Sequence, residues 1–349
     1  MKATITGWGK YLPPAVLTND DLASVVDTND EWITSRSGIR KRRISHINTS
    51  EMSTHAAREA LATSGVDPKD IDFIIVCTCS PNRLIPSTAS FVQQQIGAVN
   101  AGAIDANAAC SGYVYGLSIV SAMIEAGHIK TALIIGAERL SSYMSLDDRS
   151  TVVLFGDGAG ASIVQATEGI GGVESTVIGN DGEFAEALTI PGSGTEANPR
   201  TDGVVAVTMD GAEIFRGAVT KMAESANAAI AKAGWEIDDV DLLVPHQANV
   251  RIIDSVARRI KLGEGKAFVN IAEYGNTSAA TVPIAIAEAV EQGRINTGDK
   301  VVFVAFGGGV SWGAVALEWG GSTEPKGSYV ADVEPPTKTA LELLQDLQQ

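Results

Sequence analysis

The amino-acid sequence predicts an α/β protein made of two similar halves, in which layered helices cover mixed, mostly parallel sheets. Three observations lead to this prediction. The chain has 349 residues, of which 45% are hydrophobic and 19% charged, and this is enough apolar material for a large core or two domains. Strand-like and helix-like apolar patterns alternate along the chain. Three pairs of segments recur in the same order, which indicates an internal duplication.

The duplication is visible in three pairs of matching segments. In the first pair an Asp-x-Asp triplet, at residues 70–72 and 239–241, precedes a short apolar strand. The pairs are GVDPKDIDFIIVCTCS and GWEIDDVDLLVPHQAN, GHIKTALIIGAE and GRINTGDKVVFVAFG, and FGDGAGASIVQA and FGGGVSWGAVALEW. We therefore expect a first half over residues 1–169, a second half over 170–319, and an extension over 320–349.

Charge and composition argue against several classes of protein. The formal net charge of −16 is unfavourable for a general nucleic-acid binder. The chain begins with a strand-like ATITGWG where a secretory signal would stand, and no apolar run reaches the roughly 18–20 residues of a membrane span. Three cysteines without an export signal predict a reduced, cytoplasmic protein that does not contact a membrane.

The duplication also relates three potentially reactive residues. Cys110 and Asn276 occupy equivalent places, because each lies the same number of residues before the matched GHIK and GRIN segments. Each is followed by a predicted helix, over 111–126 and 277–292. His246 ends the strand of the second half in the first matched pair. We therefore expect Cys110, His246 and Asn276 to face one another across the boundary between the halves.

These residue types are suited to acyl transfer. A thiolate is the reactive form of cysteine, and a helix N-terminus stabilises it through unpaired N–H groups and the helix dipole. The small residues of AACSG around Cys110 would let a substrate approach closely. A neighbouring imidazole can activate the thiol or donate a hydrogen bond to an oxyanion. A neutral His246 together with Asn276 would stabilise an enolate, because neither side chain adds negative charge.

Structural roles remain open for each of these residues at this point. Cysteine is among the most buried residue types, so Cys110 alone fits a packing role, and Asn276 fits a helix cap or a turn. Cys77 and Cys79 have the spacing of neither a redox pair nor a zinc half-site, and we interpret them as core residues. The glycines of FGDGAGA lie between two predicted strands, which favours a tight β turn over a nucleotide-binding loop.

Three segments resemble the catalytic segments of a known family. DANAACSGYVYGL, VPHQANVRII and EYGNTSAATVP are similar to those of the β-ketoacyl-[acyl carrier protein] synthase III family of the thiolase superfamily, and the likeness extends over residues 3 to about 319. The resemblance implies a thiolase-like fold and the family's reaction. Cys110 would take an acyl group from acyl-CoA as a thioester. His246 and Asn276 would then hold malonyl-[acyl carrier protein] while it loses CO2, and the carbanion would attack the acyl-cysteine to initiate fatty acid synthesis.

The resemblance also implies how the reaction intermediate and acyl-CoA are held. The oxyanion hole would consist of the backbone N–H groups of Cys110 and Gly308. Acyl-CoA is a substrate, and the family uses no metal or redox cofactor. The residues that would contact CoA are Trp32 and Arg149 on either face of the adenine, Arg36 at the phosphates, and Asn249.

A basic rim for the acidic carrier protein follows from the same resemblance, although a solvated helix face is an alternative interpretation of the arginines. The carrier-binding residues would be Gln247, Ala248, Asn249, Val250, Arg251, Arg216 and Arg258. The family's acyl pocket is shaped partly by a loop of the second subunit of a homodimer, which maps near Ile85 and Pro86 here. The aliphatic Ile85 predicts a primer that is longer than acetyl or branched.

The extension and the exact reaction leave alternatives open. Residues 320–349 begin as a linker that contains Gly, Pro and Ser, and a short amphipathic helix over 337–348 could dock on this protein or on a partner. A same-fold condensing or acyl-transfer enzyme of secondary metabolism, with a different acceptor, is the alternative function. The duplication argues against a Cys-His-Asn peptidase, and the retained Cys110, His246 and Asn276 argue against a non-catalytic partner subunit.

Overall fold

The computed structural model describes residues 1–169, 171–195 and 205–348, so that residue 170, at the predicted boundary between the halves, lies outside the described residues. Its strands are β1 (Lys2–Tyr11), β2 (Ala15–Thr18), β3 (Lys41–Ile44), β4 (Phe73–Cys77), β5 (Gly102–Ala106), β6 (Thr131–Arg139), β7 (Asp157–Thr167), β8 (Gly172–Asn180), β9 (Leu188–Thr189), β10 (Thr208–Met209), β11 (Leu242–Pro245), β12 (Lys300–Gly307) and β13 (Ser311–Glu318). Its helices are α1 (Asn19–Ala23), α2 (Asp30–Ser37), α3 (Thr49–Ser64), α4 (Thr88–Ile96), α5 (Gly112–Glu125), α6 (Arg149–Val152), α7 (Gly211–Lys232), α8 (Val250–Arg259), α9 (Ile271–Tyr274), α10 (Thr281–Glu291) and α11 (Ala340–Asp346). Within these described ranges, no helix combines the length and the apolar composition that crossing a membrane requires.

Two sheets form the framework of the protein. The first has five strands in the order β1-β7-β6-β4-β5, and the second has four in the order β11-β12-β13-β8. Strand β4 is parallel to β5 and to β6, and β11 is parallel to β12. The pairings β1–β7, β6–β7, β12–β13 and β13–β8 are antiparallel. The sheets are mixed, as predicted, but their parallel share is smaller than predicted, because β7 and β13 return antiparallel beside the strands that precede them.

A pair of central helices separates the two sheets. Successive side chains of β4 point to opposite faces of the first sheet. Ile75 and Cys77 pack on the central helices α5 and α10, whereas Ile74 and Val76 pack on α3 and α4. The second sheet likewise packs one face on α5 and α10 and the other on α7 and α8. The result is five layers in the order helix, sheet, helix, sheet, helix, with Cys77 in the core as predicted.

The first matched pair of segments has the same structural role in both halves. Strands β4, β6, β7 and β1 of the first sheet correspond, in that order, to β11, β12, β13 and β8 of the second. Asp72 Oδ2 accepts a hydrogen bond from the backbone N–H of Lys130 at 2.7 Å, and Asp241 Oδ2 accepts one from the backbone N–H of Lys300 at 2.8 Å. The repeated aspartate therefore holds the start of the neighbouring strand in each half.

The FGDGAGA segment belongs to a strand, so the prediction of a tight β turn is wrong. Gly158 and Gly160 lie within β7, which pairs with β1 on one side and β6 on the other. A Cβ on Gly160 would lie 2.6 Å from the backbone N of Ile284. Glycine is needed here because α10 lies directly on the strand. The packing of α10 on β7 also positions the segment before α10, and Asn276 lies in that segment.

Residues 320–348 fold back onto the first half of the chain. The backbone N–H of Lys326 donates to Thr63 O at 3.0 Å, and Tyr329 Oη lies 2.7 Å from His55 Nδ1. Helix α11 starts after Thr339, which caps it, and it is shorter at both ends than the predicted 337–348. Its Leu344 is fully buried in a cluster that includes side chains of β2 and β3. The extension therefore docks on this chain itself.

Candidate active site

Cys110 lies where two cavities meet. The larger cavity has a volume of about 610 Å³ and includes Ser278 and Gly308 in its wall. The smaller cavity, of about 90 Å³, connects Cys110 with His246, Asn276 and the start of α8. The apolar and aromatic lining of the larger cavity includes Tyr115, Leu140, Phe155, Leu188, Ile190 and Val207. A substrate that enters through one cavity can therefore leave an acyl chain in the other.

A tight backbone turn presents Cys110 just ahead of α5. Residues 109–111 form a 3₁₀ turn, in which Ala109 has a left-handed φ of 45° that residues other than glycine rarely adopt. Gly307, at the end of β12, packs directly on this turn, since a Cβ there would lie 2.5 Å from the backbone N of Cys110. The glycine of β12 therefore allows the second half to touch the nucleophile's backbone.

Burial dominates the ionisation of the Cys110 thiol. Burial raises its pKa to about 12, while a hydrogen bond with Ser278 lowers it and the nearby Glu138 carboxylate raises it. In the unliganded protein Cys110 is therefore a thiol near neutral pH, and not the thiolate that a helix N-terminus by itself would favour. The thiol proton must leave when the sulfur attacks a substrate.

His246 is a neutral, buried imidazole at the end of β11. Burial lowers its pKa to about 3, and its Nδ1 lies 2.7 Å from Thr281 Oγ1. Thr281 Oγ1 donates to Ser278 O at 3.0 Å, and that carbonyl also accepts the backbone N–H of Thr281. The hydroxyl can rotate to donate to Nδ1 instead, and the ring proton of the neutral imidazole is then on Nε2. In this tautomer His246 can donate a hydrogen bond to an oxyanion.

The backbone on both sides of Asn276 is pinned to the first half. Its N–H donates to Leu154 O at 2.9 Å, and its carbonyl accepts from the Gly156 N–H at 3.0 Å. The preceding Gly275 has a φ of 65°, and a Cβ on it would lie 2.7 Å from Leu154 O. Asn276 Oδ1 accepts the backbone N–H of Ser278 at 2.8 Å, which leaves Nδ2 as the donor that can serve a ligand.

The two residues predicted to form the oxyanion hole border the same cavity. Cys110 and Gly308 both line the larger cavity, next to the turn that carries the nucleophile. A Cβ on Gly308 would lie 2.9 Å from Leu188 O, so a larger residue would push against the cavity wall. Their placement is compatible with the predicted pair of N–H donors.

The residues predicted to bind CoA form one cluster, in which Arg36 and Arg149 are exposed and Trp32 and Asn249 are half-buried. The guanidinium carbons of Arg36 and Arg149 lie 4.5 Å and 4.8 Å from the centroid of the Trp32 ring. Arg149 Nη1 also donates to Asp27 O at 2.7 Å. Asn249 caps α8, and its Nδ2 donates to Arg36 O at 2.9 Å, which ties the cluster to the smaller cavity. An indole flanked by two guanidinium groups is suited to a nucleotide with phosphates.

The three arginines predicted to bind the carrier protein are all exposed. Arg251 and Arg258 lie on α8 and Arg216 lies on α7, which packs beside it. The guanidinium carbon of Arg251 lies 5.7 Å from the centroid of the Phe215 ring. Ala248 and Val250 are half-buried, and Ala248 lines the smaller cavity. The exposed charge therefore lies on two helices, α7 and α8, that also contribute apolar residues to the wall of the smaller cavity.

Gln247 cannot contact a carrier protein, so this part of the prediction is wrong. The residue is 1% exposed. Its Nε2 donates to Pro245 O at 2.8 Å and Phe268 O at 3.1 Å, and its Oε1 accepts the backbone N–H of Asn270 at 3.1 Å. The side chain holds the turn after β11 together because every polar atom of its amide is used within the protein.

The structure adds three residues that sequence reasoning missed. Glu138 lies one residue before the end of β6 and is fully buried, Ser278 lies between Asn276 and α10, and Thr281 is the first residue of α10. Cys79, interpreted from the sequence as core, is half-buried in the wall of the larger cavity, and its Sγ donates to Glu138 Oε1 at 3.3 Å. The available signal for Glu138 was an acidic residue in an otherwise apolar strand, TALIIGAER.

Comparisons with known proteins agree with this architecture. A family model described as 3-oxoacyl-[acyl-carrier-protein (ACP)] synthase III matches residues 104–182, and the model of the C terminal of the same synthase matches residues 230–319. The chain is 49% identical over 345 residues to the β-ketoacyl-[acyl-carrier-protein] synthase III 2 of Vibrio cholerae, covering 98% of this chain and 95% of the relative. It is 45% identical over 323 residues to the β-ketoacyl-[acyl-carrier-protein] synthase III of Roseiflexus castenholzii, covering 91% of this chain and 98% of the relative.

Similarity to solved structures extends to the three-dimensional arrangement. The crystal structure of 3-oxoacyl-[acyl-carrier-protein] synthase III from Aquifex aeolicus superposes with a TM-score of 0.86 at 44% sequence identity, and the match covers 90% of this chain and 99% of that one. The fold is therefore thiolase-like, as predicted. Two synthases of this family are 49% and 45% identical to this chain over most of its length, and the family models match segments of both halves. The chain therefore belongs to the β-ketoacyl-[acyl-carrier-protein] synthase III family.

Proposed function

We propose that this protein condenses an acyl-CoA primer with malonyl-[acyl carrier protein], with loss of CO2, and so initiates fatty acid synthesis through an acyl-Cys110 intermediate. The observation that carries the proposal is the meeting of two cavities at Cys110, with His246 and Asn276 in the wall of the smaller one. The printed names of the relatives and of the family models describe the same synthase.

In the first half-reaction Cys110 Sγ attacks the thioester carbonyl of acyl-CoA. The backbone N–H groups of Cys110 and Gly308 hold the oxyanion that forms, because both residues border the larger cavity. The carbon–sulfur bond to CoA breaks, and the acyl chain stays in the larger cavity. CoA departs through the smaller cavity, past Asn249 and the cluster of Trp32 and two arginines.

In the second half-reaction His246 and Asn276 stabilise the enolate of the malonyl thioester. Nε2 of His246 and Nδ2 of Asn276 donate to the thioester oxygen while the bond to the carboxylate carbon breaks and CO2 leaves. Both donors are neutral, since burial holds the pKa of His246 at about 3. The carbanion then attacks the acyl-cysteine carbonyl, and the Cys110 sulfur leaves as the β-ketoacyl product forms.

The larger cavity supports a primer longer than acetyl. A volume of about 610 Å³ lined by aliphatic and aromatic side chains exceeds what an acetyl group would fill. Burial of each further CH2 group contributes about 0.8 kcal/mol. We therefore propose that medium-length or branched acyl-CoA substrates are preferred, in agreement with the aliphatic Ile85.

We also propose a homodimer in the reducing cytoplasm. Strand β5 is an edge strand of the first sheet, and Ile104 on it is 44% exposed. Leu84 and Ile85, in the loop before α4, are 85% and 84% exposed. An apolar, unpaired edge beside exposed aliphatic side chains is suited to pairing with a second copy. The three cysteines are free thiols, which supports the proposed compartment.

The carrier protein would dock on the exposed arginines of α7 and α8. Arg216, Arg251 and Arg258 supply local positive charge on a chain whose formal net charge is −16. Local charge complementarity raises the association rate with an acidic partner despite overall repulsion. Neutralising two of these arginines should therefore weaken the salt dependence of the reaction with malonyl-[acyl carrier protein].

Intact-mass spectrometry after incubation with acyl-CoAs tests the proposed function. Wild-type protein should gain one acyl group, Cys110→Ser should gain none, and Cys77→Ala, which removes a thiol from the core, should be labelled like the wild type. Malonyl-[acyl carrier protein] should then discharge the label, whereas malonyl-CoA should not. Labelling that persists in Cys110→Ser would contradict the acyl-enzyme, and discharge only by another acceptor would favour a secondary-metabolic enzyme.

A further inference from the structure

A fully buried carboxylate lies behind the nucleophile. Glu138 accepts hydrogen bonds from Thr78 Oγ1 at 3.1 Å, from the backbone N–H of Cys79 at 3.2 Å and from Ser278 Oγ at 3.0 Å. Among the described residues, no Lys, Arg or His forms an ion pair with it. Burial raises the pKa of Glu138, although hydrogen bonds from Ser80, Cys79 and Ser278 oppose the shift. A carboxylate in this position can exchange a proton at a pH where exposed glutamates are fully ionised.

The hydroxyl of Ser278 joins this carboxylate to the Cys110 thiol. Ser278 lines the larger cavity with Cys110, and it is the side-chain hydrogen-bonding partner of the thiol. Because Ser278 Oγ donates its own proton to Glu138 Oε1, its lone pairs are free to receive a proton from the thiol. The left-handed φ of 50° at Ser278 holds the hydroxyl in this place. Ser278 therefore borders the cavity of the nucleophile and is hydrogen-bonded to Glu138.

The other titratable groups around Glu138 are poor proton acceptors. Cys77 at the end of β4, Cys79 in the turn after it and Tyr143 in the turn after β6 face the carboxylate, and burial raises the pKa of each, so they stay protonated. His246, with a pKa held at about 3 by burial, is a weak base that is suited to donation. Of these titratable groups, the Glu138 carboxylate is the one suited to accept the Cys110 proton.

We propose that Glu138 receives the proton of Cys110 during acylation, through the hydroxyl of Ser278, and returns it to the Cys110 thiolate during condensation. The inference rests on the proposed function. In acylation the Sγ–carbon bond forms, the thiol proton passes to Ser278 Oγ, and the proton of that hydroxyl passes to Glu138. CoA leaves as a thiolate that takes a proton from water. In condensation the Sγ–carbon bond breaks, the sulfur keeps the electron pair, and the same path returns the proton. Glu138 touches no substrate atom, so it is a positioning residue that acts through Ser278.

Rapid-quench measurement of CoA release from acyl-CoA, before malonyl substrate is added, tests this inference as a function of pH. In the wild type the acylation rate should rise with pH through one ionisation above the normal carboxylate range and then level off. Glu138→Gln should lower the plateau by about 10²-fold and remove this ionisation, and Glu138→Asp should restore it in part. Thr78→Val removes one donor to the charged carboxylate, so the ionisation should persist and move to higher pH.

A second variant and a second half-reaction separate proton transfer from structural damage. Ser278→Ala leaves Glu138 in place but interrupts the path, and it should lose the same ionisation. Decarboxylation of malonyl-[acyl carrier protein] needs His246 and Asn276 but no proton from Cys110, so Glu138→Gln should retain it. The inference is overturned if Ser278→Ala, or a folded Glu138→Gln, keeps the wild-type pH profile of acylation. Absence of acylation in the wild type itself would instead overturn the proposed function and this inference with it.

Discussion

The backbone N–H of Ser278 donates a 2.8 Å hydrogen bond to Oδ1 of Asn276, and this contact decides which end of the amide faces a substrate. With Oδ1 occupied, Nδ2 is the atom available to the cavity, so Asn276 acts as a donor. Gly275, before Asn276, and Ser278, which donates the hydrogen bond, both have positive φ angles, so the chain turns sharply on either side of the amide. The orientation of the amide is therefore set by the turn that surrounds it.

Asn276→Asp should separate the two half-reactions. The carboxylate replaces a donor by a negative charge next to the developing enolate, so decarboxylation of malonyl-[acyl carrier protein] should fall by about 10²–10³-fold. Acylation of Cys110 uses the backbone N–H groups at the other cavity and should continue. CO2 release and intact mass measure the two steps. Equal loss of both would contradict the separate role of Asn276.

The neutral state of His246 predicts a pH-dependent contribution to stability. Between pH 6.5 and about 3 the unfolded chain binds a proton at this residue and the folded protein does not. The contribution is therefore nearly all present above pH 6.5 and is lost as the pH falls, by about 2 kcal/mol between pH 6.5 and 4.5.

Urea unfolding of wild type and His246→Asn at pH 7 and pH 4.5 measures this contribution. The difference in unfolding free energy between the two proteins should shrink at the lower pH, because the variant has no ring to protonate. An unchanged difference for His246→Asn would contradict a neutral buried ring.

Trp32→Ala should weaken the use of acyl-CoA without affecting the chemistry at Cys110. The indole is the surface on which Arg36 and Arg149 lie, so its loss should lower kcat/KM for acyl-CoA by roughly 10-fold. Acyl-pantetheine has no adenine, and its kcat/KM should be the same in the variant and the wild type. A parallel loss with both substrates would place Trp32 in a general structural role.

Ile190→Trp should shorten the primer that the enzyme accepts. Ile190 is half-buried in the wall of the larger cavity, and the indole would fill part of its volume. Wild-type protein should turn over medium-length acyl-CoAs faster than acetyl-CoA, and the variant should reverse this order while its acetyl-CoA rate is retained. Wild-type turnover with acetyl-CoA far above that with longer acyl-CoAs would refute the assignment of the cavity.

Ile104→Lys should dissociate the proposed homodimer. The side chain lies on the edge strand β5, where a lysine opposes pairing with a second copy. Light scattering should give twice the chain mass for the wild type and a single chain mass for the variant. Val330→Lys, which changes an equally apolar but exposed residue of the extension, should remain dimeric. A monomeric wild type would remove the basis for a loop shared between subunits.

Sequence patterns predicted the parts of this protein that depend on spacing along the chain. The matched Asp72 and Asp241 hold equivalent strands because the same hydrogen bond is made in each half. The count of residues from those strands places Cys110 and Asn276 ahead of α5 and α10, the two central helices. By contrast, the pattern of FGDGAGA favoured a turn, since glycine needed for close packing on α10 and glycine needed for a turn look alike in sequence.

The sequence by itself determined the duplicated α/β fold and the residue types of the site, because apolar periodicity and spacing specify which faces are buried and where strands end. Only the tertiary structure decided the protonation and the orientation of those residues. Burial by both halves keeps His246 neutral and Cys110 protonated, and Ser278 turns the Asn276 amide toward the cavity. The tertiary structure also decided that Gln247 is internal and that Glu138 is buried near the thiol. These properties depend on atoms brought together from distant segments, which no local pattern specifies.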